Sequence, residues 1–307
     1  MSGQGSRNVD NELLLLDRLD VIRKTIEKYG EENFYLSFSG GKDSTVVHHL
    51  LDMALPSNSI PRVFINTGIE YEAIVEFVKE LAKTDDRVKI IQPKKNIKKT
   101  LETVGYPFKS KEHSTKLNEW QIGHRGTKSM NKYLAKADNT KHFHFICPEI
   151  LKYQFTDEFS LKVSPYCCRE MKKKPAHEYQ KKAKKQITIT GMQRAEGGQR
   201  VHLNCIVTSR GKTIKFHPLA KVSAEWEDWF IQKHNIRLCE LYYPPFNFKR
   251  TGCKGCPFAL ELQEQLELME KYMPAERKQC EFIWKPVYDE YRRIGYRLTN
   301  YEQGKLF

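Results

Sequence analysis

Apolar residues follow a helical spacing at the start of the chain. Between residues 11 and 29 they recur every three to four positions among charged side chains, which predicts an amphipathic helix. Gly30 is expected to end this helix, because glycine commonly follows the last helical turn. The positions assigned to its buried stripe are Leu13, Leu16, Leu19, Ile22 and Ile26.

Short β-prone runs then alternate with helical stretches along much of the chain. Strands are predicted at 33–38, 62–66, 88–91 and 186–190, and helices at 45–55, 71–83 and 222–234. Strands that alternate with helices pair in parallel and are covered on both sides. The pattern therefore predicts an α/β fold, with a parallel sheet and helices on both of its faces.

Two stretches depart from this alternation. Residues 93–152 mix glycine, proline, aromatic and many basic residues, which indicates a largely helical or looped basic insertion. Residues 236–307 carry cysteines and end in a charged, helical pattern. We therefore expect an N-terminal helix at 1–30, an α/β domain at 31–235 and a cysteine-containing helical segment at 236–307.

Composition narrows the class of protein. The chain has 307 residues, of which 39% are hydrophobic, and its mean hydropathy of −0.64 is typical of a globular enzyme. No apolar run approaches the ~20 residues of a membrane span, and Leu13–Leu16 lacks the flanks of a signal peptide. We expect a cytoplasmic protein with no membrane partner. The formal net charge of +14 favours a polyanionic partner, although a solubilising surface would also account for it.

A glycine-rich loop lies between the first predicted strand and the next helix. Its sequence is Ser39-Gly40-Gly41-Lys42-Asp43-Ser44. Adjacent glycines let the backbone approach a ligand closely, and amides at a helix N-terminus favour an anion. The lysine adds charge and the serines add hydroxyl groups. The string does not fit the Walker A pattern GxxxxGK(S/T), and the alternative is an ordinary strand-to-helix turn.

This loop resembles the pyrophosphate-binding loop of the PP-loop ATPase superfamily of adenine nucleotide α-hydrolases. The resemblance implies a Rossmann-like, HUP-type fold with the nucleotide over the carboxyl ends of the strands, in agreement with the general rule for open α/β sheets. It also implies that Lys42 and Asp43 are catalytic, and that Mg²⁺ accompanies the nucleotide when that nucleotide is ATP.

Two further segments resemble the phosphoadenylyl-sulfate reductase branch of that superfamily. Phe64–Glu70 is similar to the branch's Asp-Thr-Gly motif beside the adenosine, with Asn66 in place of the aspartate, followed by Thr67 and Gly68. The stretch 191–200 is similar to its Gly-x-Arg-x-x-Glu-Ser-x-x-Arg segment. That stretch contributes Gly191, Arg194, Glu196 and Arg200 as candidate nucleotide ligands, with Gln193 at the usual arginine position.

Four of the eight cysteines form a candidate metal site: Cys167, Cys168, Cys253 and Cys256. A Cys-x-x-Cys pair places two thiolates on one ion or cluster, and four thiolates suit zinc or a 4Fe-4S cluster. A vicinal pair reaches the separate irons of a cluster more easily than one small ion. The set is also similar to that of the cluster-bearing adenylyl-sulfate reductases. Zinc and buried free thiols remain alternatives.

The resemblance to the reductase branch does not extend to the residue that carries out the reduction. The sulfonucleotide reductases attack sulfur with a tail cysteine in a Glu-Cys-Gly-Leu/Ile-His motif, which this sequence lacks. Cys280 lies in a helical pattern without that motif. The sequence therefore leaves two enzyme classes open. One reduces adenylyl sulfate or its 3′-phosphate with a thiol or sulfur donor protein, and the other uses ATP to activate tRNA or DNA for thiolation.

The basic stretch bears on that choice. Residues 94–152 contain 13 Lys and Arg against 5 Asp and Glu, and Trp120, His124, Arg125, Lys128 and Tyr133 interleave charge with aromatic rings. Such interleaving is typical of single-strand binders, although a solvated lysine-rich surface has the same composition. A third class, a nucleotide- or cluster-sensing protein without turnover, also fits the motifs.

Overall fold

A computed structural model of the chain describes residues 2–135, 146–196 and 200–299. In this part of the chain a six-stranded sheet has the order β3-β2-β1-β4-β6-β5. All neighbouring strands pair in parallel except β5 and β6, which are antiparallel. The strands are β1 Phe34–Ser37, β2 Arg62–Ile65, β3 Val88–Ile91, β4 Ile187–Ile189, β5 Ile206–Ser209 and β6 Lys212–Phe216. The predicted α/β fold with a mainly parallel, Rossmann-like sheet is confirmed.

Helices separate most of these strands, as the alternating pattern predicts. They are α1 Ser2–Tyr29, α2 Lys42–Ala54, α3 Glu72–Thr84, α4 Ile97–Val104, α5 Lys111–Gln121, α6 Lys128–Leu134, α7 Lys174–Lys182, α8 Ala224–Lys233, α9 Leu262–Tyr272 and α10 Pro274–Arg293. A π-helix at Arg169–Lys173 leads into α7. In the described part of the chain, no helix is both long and apolar enough to cross a membrane.

The chain divides into two compact units. Unit 1 comprises Met1–Asn66, Glu70–Gln92 and Pro175–Thr251, and holds the sheet. Unit 2 comprises Thr67–Ile69, Pro93–Lys174 and Gly252–Phe307. The stretch at 93–152, predicted as an insertion, thus belongs with the C-terminal helices in unit 2.

The core of unit 1 surrounds the central strands. Phe34, Leu36 and Ile189 are inaccessible or nearly so, as expected for strands covered on both faces. Helix α1 covers one side with Leu15, Leu19, Ile22 and Ile26. The sequence assignment of Leu13 and Leu16 to this stripe was wrong, because both are exposed. In a run of four leucines the helical period alone does not fix which ones face inward.

Unit 2 is largely helical and packs around α10. This helix buries Trp284, Val287, Tyr288 and Tyr291 along one side, at spacings of three, one and three residues. The helices α4, α5 and α6 come from the stretch that was predicted as helical or looped. A parallel bridge between Tyr106 and Val163 ties two of the connecting segments of this unit together.

Candidate functional site

The loop Ser39–Ser44 connects β1 to α2 in a tightly bonded turn. Gly40 has φ +69°, and a Cβ there would lie 2.8 Å from Val78 Cγ2, so only glycine fits. Gly41 caps α2 in an extended conformation. The Ser44 hydroxyl donates to the Gly41 carbonyl at 2.9 Å and accepts from the Ser39 amide at 3.1 Å. The predicted strand–loop–helix context of the motif is therefore present.

A cavity of about 240 Å³ opens over this loop within unit 1. It is lined by seven of the residues selected from the sequence: Ser39, Gly41, Lys42, Asp43, Ser44, Gly191 and Arg200. The remaining lining residues are Ser37, Thr190, Met192, Tyr242, Lys249, Arg250 and Thr251. The cavity thus lies beyond the carboxyl ends of β1 and β4, where open α/β sheets bind their ligands.

Asp43 and Gly191 meet at the base of the cavity. A Cβ on Gly191 would lie 2.8 Å from the carbonyl carbon, the carbonyl oxygen and the Cβ of Asp43, so the glycine allows a close backbone approach. Burial raises the pKa of the Asp43 carboxyl above its ordinary value, while Arg250, Lys42 and Arg200 act in the opposite direction. The carboxyl therefore lies in the positive field of three cations that line the cavity.

Lys42 is held by two carboxylates of α8. Its Nζ lies 3.1 Å from Glu227 Oε2 and 3.0 Å from Asp228 Oδ1. Glu227 is only 1% exposed, and its Oε1 has no hydrogen-bond partner among the described residues. Burial, reinforced by Asp43, raises the pKa of Glu227 to about 7 despite the attraction of Lys42. Sequence reasoning missed Glu227, because nothing along the chain pairs it with a residue 185 positions earlier.

The wall formed by residues 242–251 was also missed. The Lys42 amide donates to the Tyr242 hydroxyl at 2.9 Å, and that hydroxyl lies 2.9 Å from Thr251 Oγ1. Lys249 and Arg250 precede Thr251 and line the same cavity. A basic pair two residues before the Cys-x-x-Cys motif was the available signal, but no local pattern connects it with the loop.

Several residues predicted to bind nucleotide lie apart from the cavity lining. Asn66 follows β2, and its backbone amide donates to the Ile91 carbonyl at 2.9 Å. Thr67 is buried, and Gly68 has φ +83° in unit 2. The Arg194 side chain is exposed and donates from Nε to the Leu203 carbonyl at 2.6 Å. The side chain of Glu196 lies outside the described part of the structure.

The four candidate metal-binding cysteines come together in unit 2. Cys167 and Cys168 stand just before the π-helix, with their sulfur atoms 4.0 Å apart. The pKa of the Cys167 thiol is raised by Cys168, by burial and by the nearby Cys253 and Cys256. Burial raises the pKa of Cys256 to about 12, with contributions from Cys253 and Cys168. Two segments about 85 residues apart thus form one group of thiols.

Aromatic residues of α10 donate hydrogen bonds to backbone carbonyls of the Cys-x-x-Cys loop. Trp284 Nε1 donates to the Lys254 carbonyl at 3.1 Å, and the Tyr288 hydroxyl donates to the Gly255 carbonyl. The Tyr291 hydroxyl donates to the Pro257 carbonyl at 2.9 Å. These contacts satisfy three carbonyls of the loop. The ligand loop is therefore held by the protein itself.

A buried ion pair completes the support of this loop. Lys254 lies between the two cysteines, and its Nζ is 2.8 Å from Glu276 Oε2, with both side chains less than 10% exposed. The Lys254 amide donates to the Ile69 carbonyl at 2.8 Å. The segment after β2, expected beside the adenosine, thus contacts the cysteine loop.

The spacing of the sulfur atoms bears on the kind of metal. A tetrahedral zinc site with Zn–S bonds of about 2.3 Å brings its sulfurs to roughly 3.8 Å from one another. The sulfur atoms of Cys167 and Cys168, at 4.0 Å, are close to this spacing, whereas across the described residues no three of the thiols lie within 4.8 Å of one another. Four thiols grouped in this way suit zinc or a 4Fe-4S cluster.

The other cysteines are less accessible. Cys147, Cys239 and Cys280 are buried, and Cys205 is half-buried. Burial raises the pKa of Cys147 to about 11 and that of Cys280 to about 12. Burial also raises the pKa of Cys205 and of Cys239. A raised pKa leaves little thiolate near neutral pH, so these thiols are poor nucleophiles.

Unit 1 contains a separate group of three side chains that could bind a metal ion. Ligand atoms of His48, Asp52 and Asp85 lie within 4.8 Å of one another. Asp52 already pairs with Arg62 at 2.7 Å, and Asp85 pairs with Arg87 at 2.8 Å. Since two guanidinium groups neutralise the carboxylates, this group is an ion-pair network of the core.

The basic stretch of unit 2 only partly presents the rings expected of a nucleic-acid surface. Arg125 lies over the Trp120 ring at 4.7 Å and also pairs with Asp157. Tyr133 is buried, and its hydroxyl is 2.8 Å from His113 Nδ1. The prediction that Tyr133 offers a stacking surface was therefore wrong, because its ring belongs to the core of unit 2.

Comparison with known proteins identifies the family. The family model of the phosphoadenosine phosphosulfate reductase domain matches residues 33–144 and 148–259. The chain belongs to this family. The resemblance inferred from the loop and the segments after β2 and β4 is thus confirmed at the level of the family, whose members are enzymes of the PP-loop type.

The individual proteins that resemble this chain share little of its sequence. An uncharacterized protein of Methanocaldococcus jannaschii is 27% identical over 280 residues, which cover 89% of this chain and 53% of the relative. The chain thus spans about half the length of that protein. A phosphate complex of phosphoadenylyl-sulfate reductase from Candida auris has a TM-score of 0.43 at 14% identity, covering 76% of this chain and 93% of that one. The U34-tRNA thiolase NcsA of Methanococcus maripaludis, solved with its 4Fe-4S cluster, has a TM-score of 0.39 at 15% identity, covering 93% and 80%.

Proposed function

We propose that this family member is an enzyme of sulfur metabolism that binds the phosphates of an adenine nucleotide at the loop Ser39–Ser44. The cavity over this loop carries the proposal. Four cations line it, Lys42, Arg200, Lys249 and Arg250, against the single carboxylate of Asp43 among the described lining residues. A polyanion is the ligand class that such a lining attracts.

Lys42 and Asp43 are the proposed catalytic residues. Both line the cavity at the first turn of α2, where the helix dipole favours negative charge. The Lys42 ammonium stabilises charge that develops on a phosphoryl or sulfonyl group during transfer. Asp43 is the carboxylate available to a Mg²⁺ ion that accompanies ATP.

The cysteine group is the proposed site of a 4Fe-4S cluster, with Cys167, Cys168, Cys253 and Cys256 as ligands. The donor set fits, because four thiols converge and thiolates are the usual ligands of such a cluster. A cluster bound here supplies an electron-transfer or sulfur-binding centre. The α10 residues described above keep the loop in position for it, and zinc is the alternative that metal analysis would reveal.

ATP-dependent thiolation of a nucleic acid is the second candidate, and two observations favour it over sulfonucleotide reduction. The four cysteines outside the metal group are buried or half-buried with raised pKa values, so they offer no activated thiol for attack on sulfur. Residues 93–174 contain 18 Lys and Arg against 8 Asp and Glu, and so carry +10 of the net charge of +14. A basic surface of this strength suits tRNA or DNA.

One assay separates the two reactions. Protein reconstituted with iron and sulfide is incubated with ATP or with phosphoadenylyl sulfate, with and without a thiol donor, tRNA or DNA, and pyrophosphate and sulfite are measured. Pyrophosphate release stimulated by nucleic acid supports thiolation. Thiol-dependent sulfite release supports reduction and rules out the thiolation candidate.

Variants test the proposed roles in the same assay. Lys42→Ala should lower either activity at least a hundredfold, because it removes the charge at the reacting phosphate. Lys24→Ala is the matched control, since Lys24 is exposed on α1. Full activity of Lys42→Ala would refute the phosphate-loop assignment.

For the metal site, the reconstituted protein should be brown, with absorption at about 400 nm that disappears in Cys256→Ala. Stoichiometric zinc in the wild type would overturn the cluster.

A further inference from the structure

Phe282 of α10 is the most exposed aromatic side chain in the described part of unit 2, with 61% of its surface accessible. Lys278 and Lys285 are also exposed, four residues before it and three after, and therefore lie on the same face of the helix. Lys285 pairs with Asp289 at 2.6 Å on the surface. Helix α10 thus presents a ring between two cations, the combination that was expected of Tyr133 and is not found there.

A third cation lies against this ring. Lys98 Nζ of α4 is 3.5 Å from the centroid of the Phe282 ring, well within the range of a cation–π contact. The acidic neighbour of the ring, Glu281, already pairs with Arg277 and Arg292. The charge around the exposed ring is therefore mainly positive.

Helix α4 connects this ring with the segment that carries two of the candidate metal ligands. It contacts the π-helix Arg169–Lys173, which directly follows Cys168. Residues 169–174 contain one Arg and three Lys against one Glu. The guanidinium carbon of Arg169 lies 4.1 Å from the centroid of the Tyr166 ring. A second pair of cation and ring thus stands at the other end of the same basic surface.

This basic surface reaches the cysteine group at Cys168. Cys168 is partly exposed, whereas Cys167 is buried. The hydrogen bond between the two thiols lowers the pKa of Cys168, against the effect of burial. Three nearby lysines lower that pKa further: Lys111, Lys172 and Lys173. The accessible side of the cysteine group therefore lies among cations.

We propose that the surface formed by α10, α4 and the segment 166–174 binds a single-stranded stretch of nucleic acid, with one base stacked on Phe282. The inference rests on the second candidate function, thiolation of a nucleic acid, and gives that substrate a binding surface that ends at the cysteine group. Its principal residues are Lys98, Tyr166, Arg169, Lys172, Lys278 and Phe282.

The combination of rings and cations favours unpaired bases. Lysine and arginine bind phosphates of any nucleic acid, whereas an exposed ring gains from a base only when the face of that base is open. A duplex hides these faces in its own stack. The surface should therefore distinguish a single strand from a duplex of the same sequence, and RNA and DNA single strands share the chemistry required.

Fluorescence anisotropy with the full chain tests this surface. The labelled probes are an RNA strand of about 12 nucleotides, the DNA strand of the same sequence and the corresponding duplexes. Phe282→Ala should weaken single-strand binding about five- to hundredfold, because one base loses its stacking partner. Phe282→Trp should retain the wild-type affinity. A preference for RNA or for DNA identifies the source of the strand, and either preference supports the surface.

The dependence on salt separates the ring from the cations. Lys98→Gln should reduce the slope of log K against log salt concentration by about 0.7, because one phosphate contact is lost. Phe282→Ala should leave this slope unchanged. Slopes that change equally in the two variants would mean that Phe282 does not stack on a base, and would overturn the proposal.

Tyr272→Ala is the matched control for the ring. Tyr272 is a 40% exposed aromatic residue of α9, and its own lysine, Lys271, lies 4.9 Å from the ring centroid. Lys212→Gln, at an exposed position of β6, controls for charge. Both should bind as wild type, and circular dichroism establishes that each variant is folded. Equal losses in Phe282→Ala and Tyr272→Ala, or equal affinity for single strand and duplex, would overturn the proposal.

Calorimetry with ATP on the same proteins keeps this inference apart from the nucleotide site. Phe282→Ala should bind ATP as wild type does, because Phe282 belongs to unit 2 and the phosphate loop to unit 1. A wild type that binds ATP but none of the oligonucleotides would refute the surface and leave the nucleotide site standing. A wild type that prefers single strands but binds no ATP would support the surface and refute the nucleotide site.

Discussion

The phosphate loop of unit 1 and the cysteine group of unit 2 are built in different ways. The loop is one contiguous string, and its internal hydrogen bonds join residues at most five positions apart. The cysteine group joins two segments about 85 residues apart, and a third segment, α10, bonds the carbonyls of its Cys-x-x-Cys loop. A local motif sets the conformation of the first site, while the second depends on the packing of a whole unit.

We therefore expect a single added methyl group to be most damaging in the cysteine loop. Gly255 has φ +61°, and a Cβ there would lie 2.8 Å from Cys280 Sγ and would also overlap the Tyr288 hydroxyl. Gly255→Ala combines a left-handed conformation with overpacking, so we expect a loss of about 2–5 kcal/mol in unfolding free energy and little bound iron. Urea unfolding and iron analysis measure both effects.

Gly252→Ala is the matched control for that substitution. The position lies three residues away, has nothing within 4 Å of an added Cβ and needs no left-handed backbone. Its stability and iron content should therefore stay close to those of the wild type. If the two variants lose equal stability, the α10 residues do not constrain the loop as described.

The phosphate loop should respond to an added methyl group in ligand binding more than in stability. In Gly191→Ala the new Cβ would meet the Asp43 backbone at 2.8 Å, so the first turn of α2 must shift. We expect a loss of about 1–3 kcal/mol in stability, together with roughly tenfold weaker ATP binding. Calorimetry with ATP and thermal unfolding measure the two effects. Unchanged ATP affinity would show that the Gly191–Asp43 contact does not position the phosphate loop.

The same difference explains what could be predicted from the sequence. The alternation of strands and helices identified the sheet, since each element carries its own period of two or of about 3.6 residues. The string Ser39–Ser44 identified its loop, because the conformation depends on the glycines within it. The spacing of the cysteines also identified the candidate metal ligands, because a Cys-x-x-Cys motif and a vicinal pair can be recognised along the chain.

The missed residues share one property, which is that their partners are distant in sequence. Glu227 contacts Lys42 across 185 positions, and Tyr242 contacts the Lys42 amide across 200. Trp284 and Tyr288 had the helical spacing of core residues, and nothing in that spacing indicates that their polar atoms bond a cysteine loop. Arg194 was selected by resemblance, but its guanidinium bonds the Leu203 carbonyl. Side-chain direction depends on tertiary packing, which local patterns do not encode.

A substitution of Glu227 is the smallest and most specific test, because it alters the phosphate site without changing the sequence of the loop. Burial raises the pKa of its carboxyl from 4.5 to about 7, with Asp43 acting in the same direction and Lys42 in the opposite one. The folded state therefore holds this proton more tightly than the unfolded state. As the pH rises from about 4.5 to above 7, this carboxyl loses its proton more readily in the unfolded state than in the folded state. The free energy of unfolding therefore falls progressively, by an amount on the order of 3 kcal/mol or less.

Glu227→Gln should remove that dependence, so its stability relative to wild type should rise with pH across this window. Urea unfolding at several pH values between about 4.5 and 8 measures the difference. Asp228→Asn removes the other, exposed carboxylate from the same ammonium and serves as the control. Parallel profiles for wild type and Glu227→Gln would mean that the carboxyl does not change protonation in this range. The Lys42–Glu227 contact would then be an ordinary ion pair, and the loop lysine would be neutralised throughout the physiological range.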